Sequence, residues 1–227
     1  MQITEIYKSI QGESTYSGLP CVFVRLTGCN LRCDWCDSEY SFYGGRKISE
    51  DEVVGEVERL SPNGGLVEIT GGEPMLQERE AVPLMQRLLD AGYKVLLETS
   101  GERLLEKVPV GVVKIVDVKC PDSGEASTFR LENLQALTPF DEVKFVISTR
   151  RDYEFARDFI ANHDLGTHVA AVLFSPAFSK AASGNLGTAN CLVDPRELTD
   201  WMLQDNVPAR LGLQIHKFIW DPATKGV

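Results

Sequence analysis

No stretch of the 227-residue chain approaches the roughly 18 apolar residues that a membrane helix needs. The start, "MQITEIYKSIQGE", has neither the basic opening nor the apolar run of a signal peptide, so a cytoplasmic protein is the expectation. Positive charge is in deficit: 33 Asp and Glu against 23 Lys and Arg give a net charge of −10. That argues against a general binder of nucleic-acid backbones, which needs a basic patch or stripe. Histidine is scarce, with only His163, His168 and His216. Low-complexity segments and internal repeats are missing as well. Six cysteines could in principle pair, but a chain this long can bury a core without disulfide staples, and disulfides are rare in a reducing cytosol.

What is present is a rhythm of short apolar runs and helical stretches. Residues 21–26, 66–70, 93–99, 112–118, 142–147 and 168–174 read as strands buried on both faces, the pattern of a parallel sheet. Residues 49–60, 79–91, 131–137, 150–163 and 195–204 read as helices. Ser49 with Glu52 forms a capping-box pattern, Pro83 falls near a first turn, and Pro195 follows Asp194 as cap. Strand and helix alternating about six times predict an α/β fold with right-handed crossovers, as a barrel or an open sheet. In both, ligands bind at the carboxyl ends of the strands. "GCN", "TGGEP", "ETSG" and "DVKCP" all follow strands at that end.

Half of the cysteines, Cys29, Cys33 and Cys36, stand in "GCNLRCDWCD", with no histidine nearby. Cys21, Cys120 and Cys191 are scattered and read as small core residues. Structural zinc wants four closed ligands, whereas three thiols leave one position open. A C-x3-C-x2-C loop suits a [4Fe–4S] cluster with one iron free for an exogenous ligand.

"CNLRCDWC" resembles the signature loop of the radical S-adenosylmethionine superfamily, and "TGGEP" (70–74) resembles its second motif. "SIQGE", "FVRLTGCNLRCDWCDS" and the late "GLQIHK" (212–217) are similar to the 7-carboxy-7-deazaguanine synthase family. The resemblance is good over 1–120 and around 208–220 and thin over 125–205. It implies one domain over 1–227, with the cluster loop at 28–38. The fold implied is a partial parallel (β/α)6-type barrel with its active site at the C-terminal ends of the strands. The cofactors implied are the cluster, S-adenosylmethionine and Mg2+. The reaction implied turns 6-carboxy-5,6,7,8-tetrahydropterin into 7-carboxy-7-deazaguanine with loss of ammonia. A 5′-deoxyadenosyl radical abstracts hydrogen at C6, the ring contracts with magnesium assistance, and the hydrogen is returned.

The resemblance also implies roles residue by residue. Ile10, Gln11, Gly12 and Glu13 match a substrate-binding segment, Glu13 offering a carboxylate to the guanidine-like edge of a pterin. Arg25 matches the ligand of the substrate carboxylate; inside an apolar run its charge needs a partner, and a structural acid is the other candidate. Thr70 and His216 match substrate contacts, although a histidine on an apolar strand also reads as a core residue. Gly72, Glu73, Ser100, Asp117, Lys119, Ser175 and Pro176 match contacts to S-adenosylmethionine. "DVKCPDSG" departs there from the Ser-Pro-Lys that many members carry, and Lys119 survives the departure. Gly71 and Gly72 are expected to let the backbone approach the cofactor closely. Ser38 matches the magnesium ligand.

The implied partners are the pterin, an electron donor such as flavodoxin and a second copy of the chain, with neither nucleic acid nor membrane. Two other readings share the cysteine loop. An activase that installs a glycyl radical on a partner protein has no evident use for "QGE" followed by a strand arginine. An iron–sulfur electron carrier needs a fourth protein ligand from Cys21, Cys120 or Cys191.

Overall fold

The computed structural model describes residues 1–180 and 186–227. Among them nine strands form one sheet: β1 (Gln2–Ile10), β2 (Pro20–Leu26), β3 (Arg46–Lys47), β4 (Leu66–Gly71), β5 (Lys94–Thr99), β6 (Val113–Asp117), β7 (Glu142–Ile147), β8 (Ala171–Pro176) and β9 (Arg210–Leu211). The order is β3-β1-β2-β4-β5-β6-β7-β8-β9. All neighbours from β2 to β9 run parallel, while β1 pairs antiparallel with β2 and β3. The helices are α1 (Glu50–Leu60), α2 (Glu78–Asp90), α3 (Arg150–Asn162), α4 (Leu165–His168), α5 (Pro195–Asp205) and α6 (His216–Ile219). None is long and apolar enough to cross a membrane. This is the α/β, parallel-rich architecture of a partial barrel.

The capping box forms as expected: Ser49 Oγ accepts from Glu52 N, and the Glu52 carboxylate accepts from Ser49 N at 2.7 Å. Asp194 caps α5 by accepting from Arg196 N at 2.8 Å. Pro83 lies in the second turn of α2, deeper than expected. Residues 131–137 form a 3-10 turn (Leu131–Ala136) instead of an α-helix, pinned by buried Asn133, which accepts from Leu105 N and donates to Gly101 O. The β5–β6 crossover has no helix, so the barrel's helical coat is incomplete. The expected strands omit β1, β3 and β9.

Strand alternation sorts the residues by face. Val22, Val24, Leu26, Val67, Ile69, Val95, Leu97 and Val116 join the large core under the helices. Each such aliphatic side chain contributes roughly 1.5–3 kcal/mol on burial. The alternate positions Cys21, Phe23, Leu66, Leu96, Val113 and Ile115 form a second, smaller core. Continuing along the strands, that inner set turns polar as Arg25, Glu68, Thr70, Glu98, Asp117 and Lys144, all lining one cavity. A bulge between Ile3 and Glu5 lets Ile3 join the outer core while Tyr7 faces the cavity, stacked on Phe23 at 5.1 Å.

Candidate active site

Cys29, Cys33 and Cys36 line the mouth of this cavity. Their loop is held by Gly28 N donating to Ser41 O at 2.8 Å and by Arg32, whose guanidinium donates to Cys29 O and packs over Phe42. The glycines of "TGGEP" serve this loop. A Cβ on Gly72 would stand 2.3 Å from Gly28 O and 2.7 Å from Cys29 Cβ. One on Gly71, at φ +151°, would stand 2.3 Å from Leu26 O. Close approach is therefore needed first between β4 and the cysteine loop, not only toward a cofactor.

Burial pushes the Cys33 thiol up to about 11, with the Lys119 ammonium pulling the other way. Thiolates, not thiols, ligate metal, so loading this loop releases protons. Among the described residues no three His, Cys, Asp or Glu side chains converge as ligands of a single ion. A cluster, by contrast, takes one thiolate per iron, and three thiols on one rim fit that donor set.

Asp117 and Lys119 pair at 2.7 Å, yet Asp117 Oδ1 is buried without a hydrogen-bond partner. A buried polar oxygen of this kind calls for a donor, and a ribose hydroxyl of S-adenosylmethionine would supply one. Glu73 is different. Its Oε1 accepts from Met75 N and Thr99 Oγ1, and its Oε2 accepts from Ser100 N and Ser100 Oγ. Glu73 lines the cavity, and its carboxylate lone pairs clamp the end of β5. Ser100 lines the cavity with its hydroxyl so engaged. Ser175 and Pro176 lie outside the cavity lining. β9 pairs with β8, Gly212 N donates to Phe174 O, and Gly212 covers the Ser175 hydroxyl.

On the opposite wall, Ile10 ends β1, and Gln11, Gly12 and Glu13 follow it into the cavity lining. Gln11 Oε1 accepts from Glu13 N at 2.5 Å, and its amide donates to the Glu68 carboxylate. Glu13 pairs with Lys144 Nζ at 2.7 Å and accepts from Gln214 Nε2 at 2.5 Å. Desolvation works against ionisation of Glu13, but Lys144 and His216 bring it down to about 2. Thr70 is the register partner of Arg25. Arg25 Nε donates to Glu5 Oε1 at 2.9 Å and Nη2 to Tyr7 OH at 3.0 Å. Glu5 is thus the structural acid of Arg25, and among the described residues no hydrogen bond engages its Nη1.

His216 opens α6 instead of lying on a strand. Its ring packs on Gly12, where a Cβ would stand 2.0 Å from Nδ1. Burial lowers its pKa. Ile215 N donates to Gly12 O at 2.9 Å, and Lys217 Nζ pairs with Asp37 Oδ2 at 2.8 Å. Asp37 Oδ1 in turn accepts from Ser38 Oγ at 2.8 Å. Residues 212–217 therefore roof the cavity and tie "QGE" to the cysteine loop.

Sequence reading missed Tyr7, Glu68, Lys144, Gln214 and Lys217 as lining residues. For Glu68 and Lys144 the signal was available: charges at alternate positions of otherwise apolar strands must find partners inside. Burial and the nearby Glu98 and Glu13 raise the pKa of Glu68 well above the ordinary carboxyl value.

The radical SAM superfamily model matches residues 23–110. The 7-carboxy-7-deazaguanine synthase of Koribacter versatilis is 67% identical over the whole of both chains. That of Chlorobaculum tepidum is 38% identical over all of this chain and 97% of its own. The crystal structure of QueE from Escherichia coli superposes with a TM-score of 0.72 at 21% identity, covering 93% of this chain and 92% of that one. That likeness carries the fold. Identity of this extent across the full length carries more: the chain belongs to the 7-carboxy-7-deazaguanine synthase family of radical S-adenosylmethionine enzymes.

Proposed function

We propose that the chain converts 6-carboxy-5,6,7,8-tetrahydropterin into 7-carboxy-7-deazaguanine with loss of ammonia. The observation that carries this reading is one cavity bounded by three thiols of a single loop on one side and by Arg25 and Glu13 on the other. A [4Fe–4S] cluster on Cys29, Cys33 and Cys36, with S-adenosylmethionine, supplies when bound the radical that takes hydrogen from C6 of the pterin.

The chain's own residues bind, orient and enclose. Arg25 offers its Nη1 edge to the substrate carboxylate, and Tyr7 and Glu5 fix the fork's orientation. Glu13, held ionised, accepts from the N–H groups of the aminopyrimidine edge, since two of its lone-pair positions remain open beside Lys144 and Gln214. Thr70 and the face of His216 complete that wall. Asp117 Oδ1 and Lys119 serve the ribose and carboxylate of S-adenosylmethionine, and Gly72 keeps the β4 turn tight against the cysteine loop. Ser38 presents an oxygen to magnesium, oriented by its bond to Asp37; magnesium keeps several waters and takes few protein ligands. The roof over 212–217 keeps bulk water from the reacting ring. The reading extends to one domain over 1–227, a cytoplasmic homodimer and a flavodoxin-like electron donor, with no nucleic acid or membrane.

The test is anaerobic turnover of the reconstituted enzyme with S-adenosylmethionine, dithionite, magnesium and the pterin, read by mass spectrometry. The expected product is 7-carboxy-7-deazaguanine, lost in Cys33→Ala together with the cluster's absorbance. Uncoupled 5′-deoxyadenosine without that product overturns the pterin assignment and keeps the radical one.

A further inference from the structure

Lys144 is a buried cation that neither the cofactor nor the substrate roles above require. It stands on β7, its side chain 5% exposed, as the register partner of Asp117 on β6. Its ammonium pairs with Glu13 Oε2 at 2.7 Å, contacts Glu98 Oε1 and lies 3.8 Å from Asp117 Oδ2. Three carboxylates from three parts of the chain thus meet one positive charge at the cavity wall. Lys119, the next cation along, is already bonded to Asp117.

We propose that Lys144 is a positioning residue for the pterin: it fixes Glu13 in place, ionised and aimed into the cavity, so that both N–H groups of the aminopyrimidine edge are received. The inference rests on the reading of Glu13 given above. Geometry makes the lysine necessary. Glu13 faces Lys144 from β7, His216 from α6, Gln214 just before it, Asp37 from the cysteine loop, Glu68 from β4 and Glu98 from β5. The acids outnumber the bases in that circle, and the buried imidazole is held toward its neutral form. Without Lys144, Glu13 sits among like charges with only the Gln214 amide to hold it. A carboxyl so placed takes up a proton more readily and swings toward water. A protonated Glu13 presents a donor where the pterin also presents donors.

The experiment compares Lys144→Met, Lys144→Arg and Glu13→Gln as full-length reconstituted enzymes, with KM and kcat for the pterin followed across pH. Cluster absorbance and S-adenosylmethionine binding serve as folding controls, and Lys144→Met/Glu98→Gln relieves the carboxylate crowding should the single variant fold poorly. Lys144→Met is expected to raise KM by about tenfold, the size of one charge-assisted contact, with a smaller change in kcat. Its KM is also expected to fall as pH rises, because Glu13 then recovers its charge, while the wild type and Lys144→Arg stay flat. An unchanged KM in Lys144→Met beside an impaired Glu13→Gln overturns the positioning role alone. So does an equal, pH-independent loss in the methionine and arginine variants, which marks a structural lysine. A Glu13→Gln enzyme that binds pterin like the wild type removes the reading of Glu13, and the proposal with it.

Discussion

The two faces of the sheet obey opposite rules. On the helix side, strand positions such as Val24, Ile69, Leu97 and Phe145 are fully buried and aliphatic or aromatic, and they interchange with loss of packing alone. On the concave side, Arg25, Glu68, Glu98, Asp117 and Lys144 are each committed to a named partner. Stability resides in the first set. The second set adds little to it, because the attraction within a buried ion pair is largely offset by the cost of taking both charges out of water. The difference teaches where this molecule concentrates function: on the polar half of each inward stripe, above the small apolar core of Phe23, Leu96 and Ile115.

Three substitutions set the faces against each other. Arg25→Met should have the largest effect, a loss of about a hundredfold or more in kcat/KM for the pterin, since it removes the fork and leaves Glu5 unpaired. The check is steady-state kinetics beside thermal unfolding, and a large loss of stability with little loss in KM would blur the distinction between faces. Leu97→Ala on the helix side should cost about 2–5 kcal/mol of stability while KM stays within error, measured by denaturant unfolding of the folded, cluster-loaded enzyme.

The smallest effect is expected at Glu68. Burial and the neighbouring acids raise its pKa in the fold, so its contribution is full below the ordinary value of 4.5 and is lost as pH rises through the raised folded value. Glu68→Gln should therefore flatten the fall of stability with pH, by at most about 1.4 kcal/mol for each pH unit. Parallel curves for variant and wild type would mean that Glu68 is ionised in the fold.

The six inner strands and the cysteine loop were legible because each is a local pattern: an apolar run, or three thiols at fixed spacing. β1 was not, since "QITEIYKSI" carries two charged residues and lies half-buried, next to the edge strand β3. Its bulge also breaks the alternation that would have assigned Glu5 to Arg25. The 131–137 turn carries helical periodicity, but the Asn133 side chain ties it to the 101–105 loop and tightens it to 3-10 form. Gln214 and Lys217 were illegible for a different reason. Their partners are 201 and 180 residues away, and no spacing rule spans that distance. Glu73 shows the reverse case: the motif was plain, and only the fold revealed that its carboxylate holds β5.

The roof across Gly12, Glu13 and Asp37 also imposes an order in time. A ribosome adds roughly 5–20 residues per second, so the roof emerges on the order of ten seconds or more after the cysteine loop it will cover. Throughout that interval the three thiols stand without the roof over them. Iron and sulfide delivered to the nascent chain would meet an open rim, whereas delivery to the finished protein must work past α6.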